Sequence, residues 1–143
     1  MSVPVWSVFG FALWTLLLLL LTVGVYRWSH ILSGRIAIRH FRADRIEGAD
    51  WYRRAMRAHA NCVENLPVFG AIVFALNQSG LHGHVLDIAA VAILPARITQ
   101  SLIHVVLPET NFSTSLRFSF FLLQIIAFFV LAAPLIQLFL AGA

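Results

Sequence analysis

Long apolar runs alternate with short polar interruptions along this chain, and each run is long enough to cross a membrane. Four stand out: about Val3 to Tyr26, with Leu16 to Leu21 unbroken, about Ala58 to Leu76, about His84 to Leu107, and about Ser115 to Leu140. About 20 apolar residues span the hydrocarbon of a bilayer as a helix. Backbone inside lipid must also satisfy its own hydrogen bonds, which a helix does. The pattern predicts an all-α membrane protein, a four-transmembrane-helix bundle, with helices at about 3–26, 51–78, 84–107 and 113–140 in a single domain, 1–143. The stretch Gln78-Ser79-Gly80-Leu81-His82-Gly83 reads as a tight turn, because its two glycines break helical periodicity. Pro95 and Pro134 fall inside predicted helices, where they are expected to bend the helix without ending it.

Composition supports this reading. Of 143 residues, 60% are hydrophobic and only 11% are charged, against about a quarter charged in a soluble domain. All ten basic residues are arginines, and eight of them (Arg27, Arg35, Arg39, Arg42, Arg45, Arg53, Arg54 and Arg57) lie between the first two runs or at the start of the second. A net charge of +4 does not point to nucleic acid, because no soluble basic face exists to dock it. The arginines read instead as topology. The positive-inside rule places this loop and the Pro108 to Arg117 connection in the cytoplasm, with both termini outside. Asp44, Glu47 and Asp50 interleave with the loop arginines, so the loop is not a bare polybasic tether. Trp28 and Trp51 bracket it as interfacial anchors. Cys62 is the single cysteine, so no intrachain disulfide is expected. The first run is too long for a cleavable signal and lacks a basic leader, so it is expected to remain as a span.

The second run carries charge into the membrane with it. Arg57, Asn61 and Glu64 fall at i, i+4 and i+7 and form one helical stripe, which Arg54 extends backwards and Val68 continues inward. His59 and Asn65 lie off the stripe. Polar groups at membrane depth face protein or a wet cavity, so this density points to a site for a polar ligand. Mutual neutralisation of Arg57 and Glu64 explains two of these residues but leaves Arg53, Arg54, His59, Asn61 and Asn65 without a role. The third run adds Arg97 and His104, seven residues apart and so on one face, with Gln100 and Ser101 nearby. Arg97 fits equally well as an interhelical partner for Glu64 or as a ligand contact, and His104 as an interfacial residue or a site residue. Arg117 opens the fourth helix near the cytoplasmic boundary, where a plain topological charge is the alternative. Cys62 reads as a small packing residue. Some of Phe112, Phe118, Phe120, Phe121, Phe128 and Phe129 are candidates to line an apolar crevice. No metal is expected.

The run Arg54-x-x-Arg57-Ala58-x-x-x-Asn61-x-x-Glu64-x-x-Pro67-x-Phe69 resembles the signature of the MAPEG proteins, the membrane-associated proteins in eicosanoid and glutathione metabolism. Within that family, Arg57-Ala58-His59-x-Asn61-x-x-Glu64-Asn65 looks most like the microsomal glutathione transferase branch, of bacterial type. Arg97 and His104 resemble the family's arginine and tyrosine on helix three, with histidine replacing the tyrosine. Asn65 stands where the leukotriene synthase branch has tyrosine. The resemblance implies a four-helix bundle assembled as a homotrimer in a bacterial inner membrane. It implies glutathione as co-substrate, bound between subunits by Arg54, Arg57, His59, Asn61, Glu64, Asn65, Arg97 and His104, with Arg117 as the catalytic residue. The chemistry agrees with such a ligand. Arginine forks bind carboxylates, Glu64 suits an ammonium, and a nearby cation favours a thiolate. The second substrate is expected to be an apolar electrophile or a lipid hydroperoxide from the bilayer. A non-catalytic lipid-binding or scaffold protein of the same fold is the main alternative. A small four-span exporter fits poorly, because its key acid is expected deep in the first span, which here has no charge.

Overall fold

A computed structural model describes residues 2–42 and 44–142, so the ends of the expected 1–143 domain, Met1 and Ala143, lie outside the described residues. Four helices are long and apolar enough to cross a membrane: α1 (Val3–Leu32), α2 (Asp50–Gln78), α3 (His84–Val106) and α4 (Asn111–Gly142). No strand is present among the described residues. The bundle is centred on α3, which packs on all three other helices, while α1 and α4 scarcely meet. The carboxyl ends of α1 and α3 share one end of the bundle with the amino ends of α2 and α4, and this is called the loop end below. The Gln78–His84 turn lies at the other end.

The first helix does not stop at Tyr26, as its apolar run suggested, but continues to Leu32. Its buried positions explain how. Pro4, Ser7, Phe11, Thr15 and Leu18 recur at helical spacing, and the next buried residues are Val23 and Tyr26. The step of five from Leu18 to Val23 matches one wide π-helical turn over Leu19–Gly24, which inserts a residue and resets which face meets the core. The Thr22 hydroxyl donates to the Leu18 carbonyl at 2.5 Å inside that turn. Beyond it, the polar run Arg27 to His30 stays helical because it is tied to α2. The Tyr26 ring stacks on Tyr52 with centroids 4.1 Å apart, and Arg27 Nε donates to the Tyr52 hydroxyl at 2.8 Å. Gly48, at φ +137°, brings the returning loop so close that an added Cβ would lie 2.6 Å from the Tyr26 hydroxyl.

The core runs through the middle of the bundle. On α2, Tyr52, Ala55, Ala58, Cys62, Phe69, Val73 and Leu76 are buried at spacings of three, four or seven, the period of a helix seam. Phe69 links the layers, with its ring 6.0 Å from Phe11 of α1 and 5.7 Å from Phe128 of α4. Lipid removes the hydrophobic drive between helices, so close packing and interhelical hydrogen bonds must hold the bundle. Trp14 Nε1 donates to the Ser101 hydroxyl at 3.3 Å, and Gln124 Nε2 donates to Gln100 Oε1 at 3.0 Å. The predicted turn is confirmed. Gly80, at φ +66°, lets Leu81 N–H reach the Leu76 carbonyl at 3.1 Å, an αL cap that only glycine adopts without strain. Pro67, Pro95 and Pro134 all lie inside continuous helices.

Candidate functional site

The polar stripe of α2 sits one position before the buried seam, Arg57 before Ala58 and Asn61 before Cys62. A step of one residue turns the helix by about 100°, so the stripe flanks the core and borders a groove. The groove lies at the loop end between α2 and α4, with α3 as its floor. Arg57 and Asn61 form one wall, Gln100 and His104 the floor, and Thr114, Arg117, Phe118 and Phe121 the other wall, with Glu109 at the end. Its volume is about 360 Å³. A second cleft of about 380 Å³ adjoins it, lined by Asp50, Arg53, Arg54, Arg57, Pro108 and Glu109. Arg57 and Glu109 line both, and Arg57 Nη1 donates to Glu109 Oε1 at 3.3 Å across the divide.

Local structure fixes the α4 wall. Thr110 and Ser113 cap the helix reciprocally: Ser113 N–H donates to Thr110 Oγ1 at 3.1 Å and Thr110 N–H to Ser113 Oγ at 3.0 Å. This capping box starts α4 at Asn111, two residues before the expected 113. Arg117 therefore points into the groove nearly two turns along the helix. Gln100 Nε2 donates to the Arg117 carbonyl at 3.2 Å and locks α4 against the floor.

His104 lies at the centre of the groove. Arg117 Nη1 is 2.9 Å from His104 Nδ1, and Arg117 Nη2 donates to Thr114 Oγ1 at 2.9 Å. A guanidinium only donates, so Nδ1 must accept. The imidazole is then neutral and carries its hydrogen on Nε2. Asn61 Nδ2 is placed 3.4 Å from that Nε2; two donors cannot face each other, so this tautomer requires the amide flipped, with its oxygen toward the ring. Arg117 spends two of five N–H groups on these contacts and keeps three for a ligand.

The structure thus gathers Arg57, Asn61, His104 and Arg117 in one groove, with Arg54 in the adjoining cleft. Arg54 Nη2 also donates to the Val105 carbonyl at 3.3 Å, satisfying a free carbonyl at the end of α3. The other candidates stand apart from the groove lining. Glu64 is exposed on the α2 surface one turn beyond Asn61 and joins none of the four ion pairs among the described residues. Arg57 pairs with Glu109 and not with Glu64. Asn65 Nδ2 donates to the Asn61 carbonyl at 2.7 Å and so serves its own helix. His59 is half-buried off the stripe. Arg97 is only 1% exposed inside the bundle, with its guanidinium carbon 5.4 Å from the Phe11 ring centroid. Its Nε and Nη2 have no partner among the described residues. Cys62 is fully buried against Ser101, with Sγ 3.6 Å from Oγ.

Glu109 and Thr114 belong to the groove but were not among the expected site residues. Glu109 carries a signal, as the only acid in the Pro108 to Arg117 connection. Thr114 carries none. Among the described residues, no group of three or more His, Cys, Asp or Glu side chains stands together to hold a metal ion. The groove as a whole offers arginines on both walls and an apolar shoulder of Phe118 and Phe121 beside them.

No curated protein and no solved structure matches this chain in a search of either. The family model described as "MAPEG family" matches residues 4–136, nearly the whole length. With four membrane-length helices, the chain is an integral membrane protein that belongs to the MAPEG family.

Proposed function

We propose that the protein is a glutathione-dependent membrane transferase. The observation that carries this reading is the groove, where Arg57, Arg117 and the Asn61 amide converge beside exposed Phe118 and Phe121. Glutathione presents two carboxylates, one ammonium and one thiol. The carboxylates suit the arginine forks of Arg54 and Arg57, and the ammonium suits Glu64. Arg117 keeps free donors in the groove and supplies a full positive charge there. A thiol placed there is favoured as thiolate. The thiolate attacks an apolar electrophile arriving from the bilayer, forming a carbon–sulfur bond as the leaving group departs. With a lipid hydroperoxide, two glutathione thiols supply the electrons and leave as the disulfide, and the peroxide becomes an alcohol and water.

The working unit in this reading is a homotrimer with glutathione between neighbouring subunits, as in the microsomal transferase branch. One unpaired charge supports it: exposed Glu64 lacks an ion-pair partner within the described chain. An uncompensated charge at membrane depth is costly, and a neighbouring copy with its ligand relieves that cost. Crosslinking in mild detergent is expected to trap trimers. A monomer that binds glutathione at full affinity contradicts this. The protein would sit in a bacterial inner membrane with both termini outside. An introduced cysteine near Arg42 then labels only in permeabilised membranes, and labelling from the outside reverses the topology. The alternative is a non-catalytic lipid-binding protein of the same fold, in which any bound glutathione ionises no more readily than free glutathione.

A further inference from the structure

We propose that His104 is a positioning residue, a neutral imidazole that ties the α2 wall of the groove to the α4 wall and aims the Arg117 guanidinium. It rests on the proposed function, in which that guanidinium meets the thiolate. The geometry is specific. Arg117 Nη1 donates to His104 Nδ1 at 2.9 Å, and His104 Nε2–H faces the Asn61 amide at 3.4 Å. One ring therefore orients two groups on different helices. The third anchor, Thr114, accepts from Nη2 at 2.9 Å on Arg117's own helix. It fixes the far side of the guanidinium but leaves its swing away from α3 unopposed. His104 alone pins the fork from the α3 side, and the half-buried setting of both residues keeps water from replacing it freely.

Only the unprotonated ring can do this. A proton on Nδ1 would set N–H against N–H, and Arg117 would lose its acceptor and turn away. The charged groups that act on His104 are Arg117 from α4, Arg57 from α2, Glu109 from the connection and Arg97 from α3 itself. No charged group of α1 acts on it among the described residues. Turnover is thus expected to fall on the acid side as His104 takes a proton, apart from any titration of the thiol itself.

The test has two arms. In the first, ¹⁵N spectra of histidine-labelled protein in nanodiscs identify the His104 signal by its loss in His104→Gln. The expected result at neutral pH is a neutral Nε2–H ring whose Nδ1 signal shifts in Arg117→Gln. A charged ring, an Nδ1–H ring, or a signal indifferent to Arg117 overturns the contact. In the second, His104→Phe removes the acceptor, and a hydrogen bond to a charged group is typically worth about ten-fold or more. The turnover number is expected to drop by at least about ten-fold, with a smaller change in KM for glutathione. His104→Gln, which accepts but does not titrate, restores most of the rate and lacks the His104 part of the acid-side fall. Equal rates and equal pH profiles in wild type and His104→Phe overturn the positioning role. If wild type shows no turnover, the transferase reading falls and takes the catalytic part of this inference with it, while the first arm still decides the contact.

Discussion

Two sets of arginines in this protein meet their charge in different ways. In the loop end outside the bundle, Arg42 pairs with Asp44 at 2.5 Å, Arg45 with Glu47 at 2.8 Å, and Arg53 with Asp50. Each acid lies two or three residues away along the chain, and every one of these side chains is more than half exposed. In the groove, the adjoining cleft and the bundle interior, Arg117, Arg54 and Arg97 form no direct ion pair among the described residues. Their contacts are to a carbonyl, an aromatic face, a hydroxyl and an imidazole. These three loop arginines have their counter-charge beside them along the chain, while Arg35 and Arg39 join no ion pair among the described residues. In the groove Glu109 answers Arg57, and Arg117 is left without an acid partner among the described residues. That is where an anionic ligand has most to contribute, since a charge-assisted bond in a poorly hydrated site is stronger than one in water.

The contrast can be broken at three strengths. The largest effect is expected from Arg117→Ala. Removing one donor aimed at developing negative charge typically lowers turnover by about 10²–10³. Glutathione affinity should change less, because the thiol form does not need the cation. Ultraviolet difference spectra of bound glutathione measure this directly, since the variant needs a higher pH to show thiolate. If Arg97→Ala abolishes the thiolate and Arg117→Ala does not, the roles of the two arginines are exchanged. A middle effect is expected from Arg57→Ala and Glu64→Gln, each weakening glutathione binding by about 1–3 kcal/mol. Arg57→Lys is expected to restore only part, because lysine lacks the planar fork. Unchanged affinity in well-folded variants returns both residues to a purely structural role.

The smallest effect belongs to the loop. Arg42→Gln or Arg45→Gln should leave glutathione binding and thermal stability close to wild type, because exposed ion pairs add little. The Arg42 guanidinium holds the Asp44 carboxyl below its usual range. Whatever the pair adds is present at neutral pH and disappears only as pH falls through that lowered value. A thermal scan of wild type and Arg42→Gln at neutral pH checks this, and a drop of several degrees would place a structural load on the loop that its exposure does not suggest.

Much of this organisation is legible in the residues, and the failures have physical causes. The four spans follow from apolar length alone, because lipid forces helices on any segment that crosses it. The Gly80 turn follows from the αL geometry it needs. The end of α1 is misread because Arg27, Ser29 and His30 look like a loop. The π-turn and the Tyr26–Tyr52 stack that carry the helix on to Leu32 depend on tertiary contacts that periodicity does not record. The start of α4 is misread by two residues, although the Thr110-x-x-Ser113 capping box stands in the sequence. For the site, spacing places Arg57 and Asn61 on one stripe, and the structure brings them to His104 and Arg117. Spacing also places Glu64 on that stripe, yet whether Glu64 meets a ligand depends on what covers the outer surface of α2, which no pattern within one chain encodes. Arg57 finds Glu109 instead, 52 residues along. A contact of that kind is written in the fold and not in the local sequence.

The proposed function is tested most directly by titration calorimetry of glutathione into the purified, detergent-solubilised protein, with wild type, Arg57→Ala and Arg42→Gln run side by side. It predicts saturable binding in wild type, unchanged binding in Arg42→Gln, and a loss of about 1–3 kcal/mol in Arg57→Ala. Absence of binding in folded wild-type protein, or equal losses in the groove and loop variants, would contradict it.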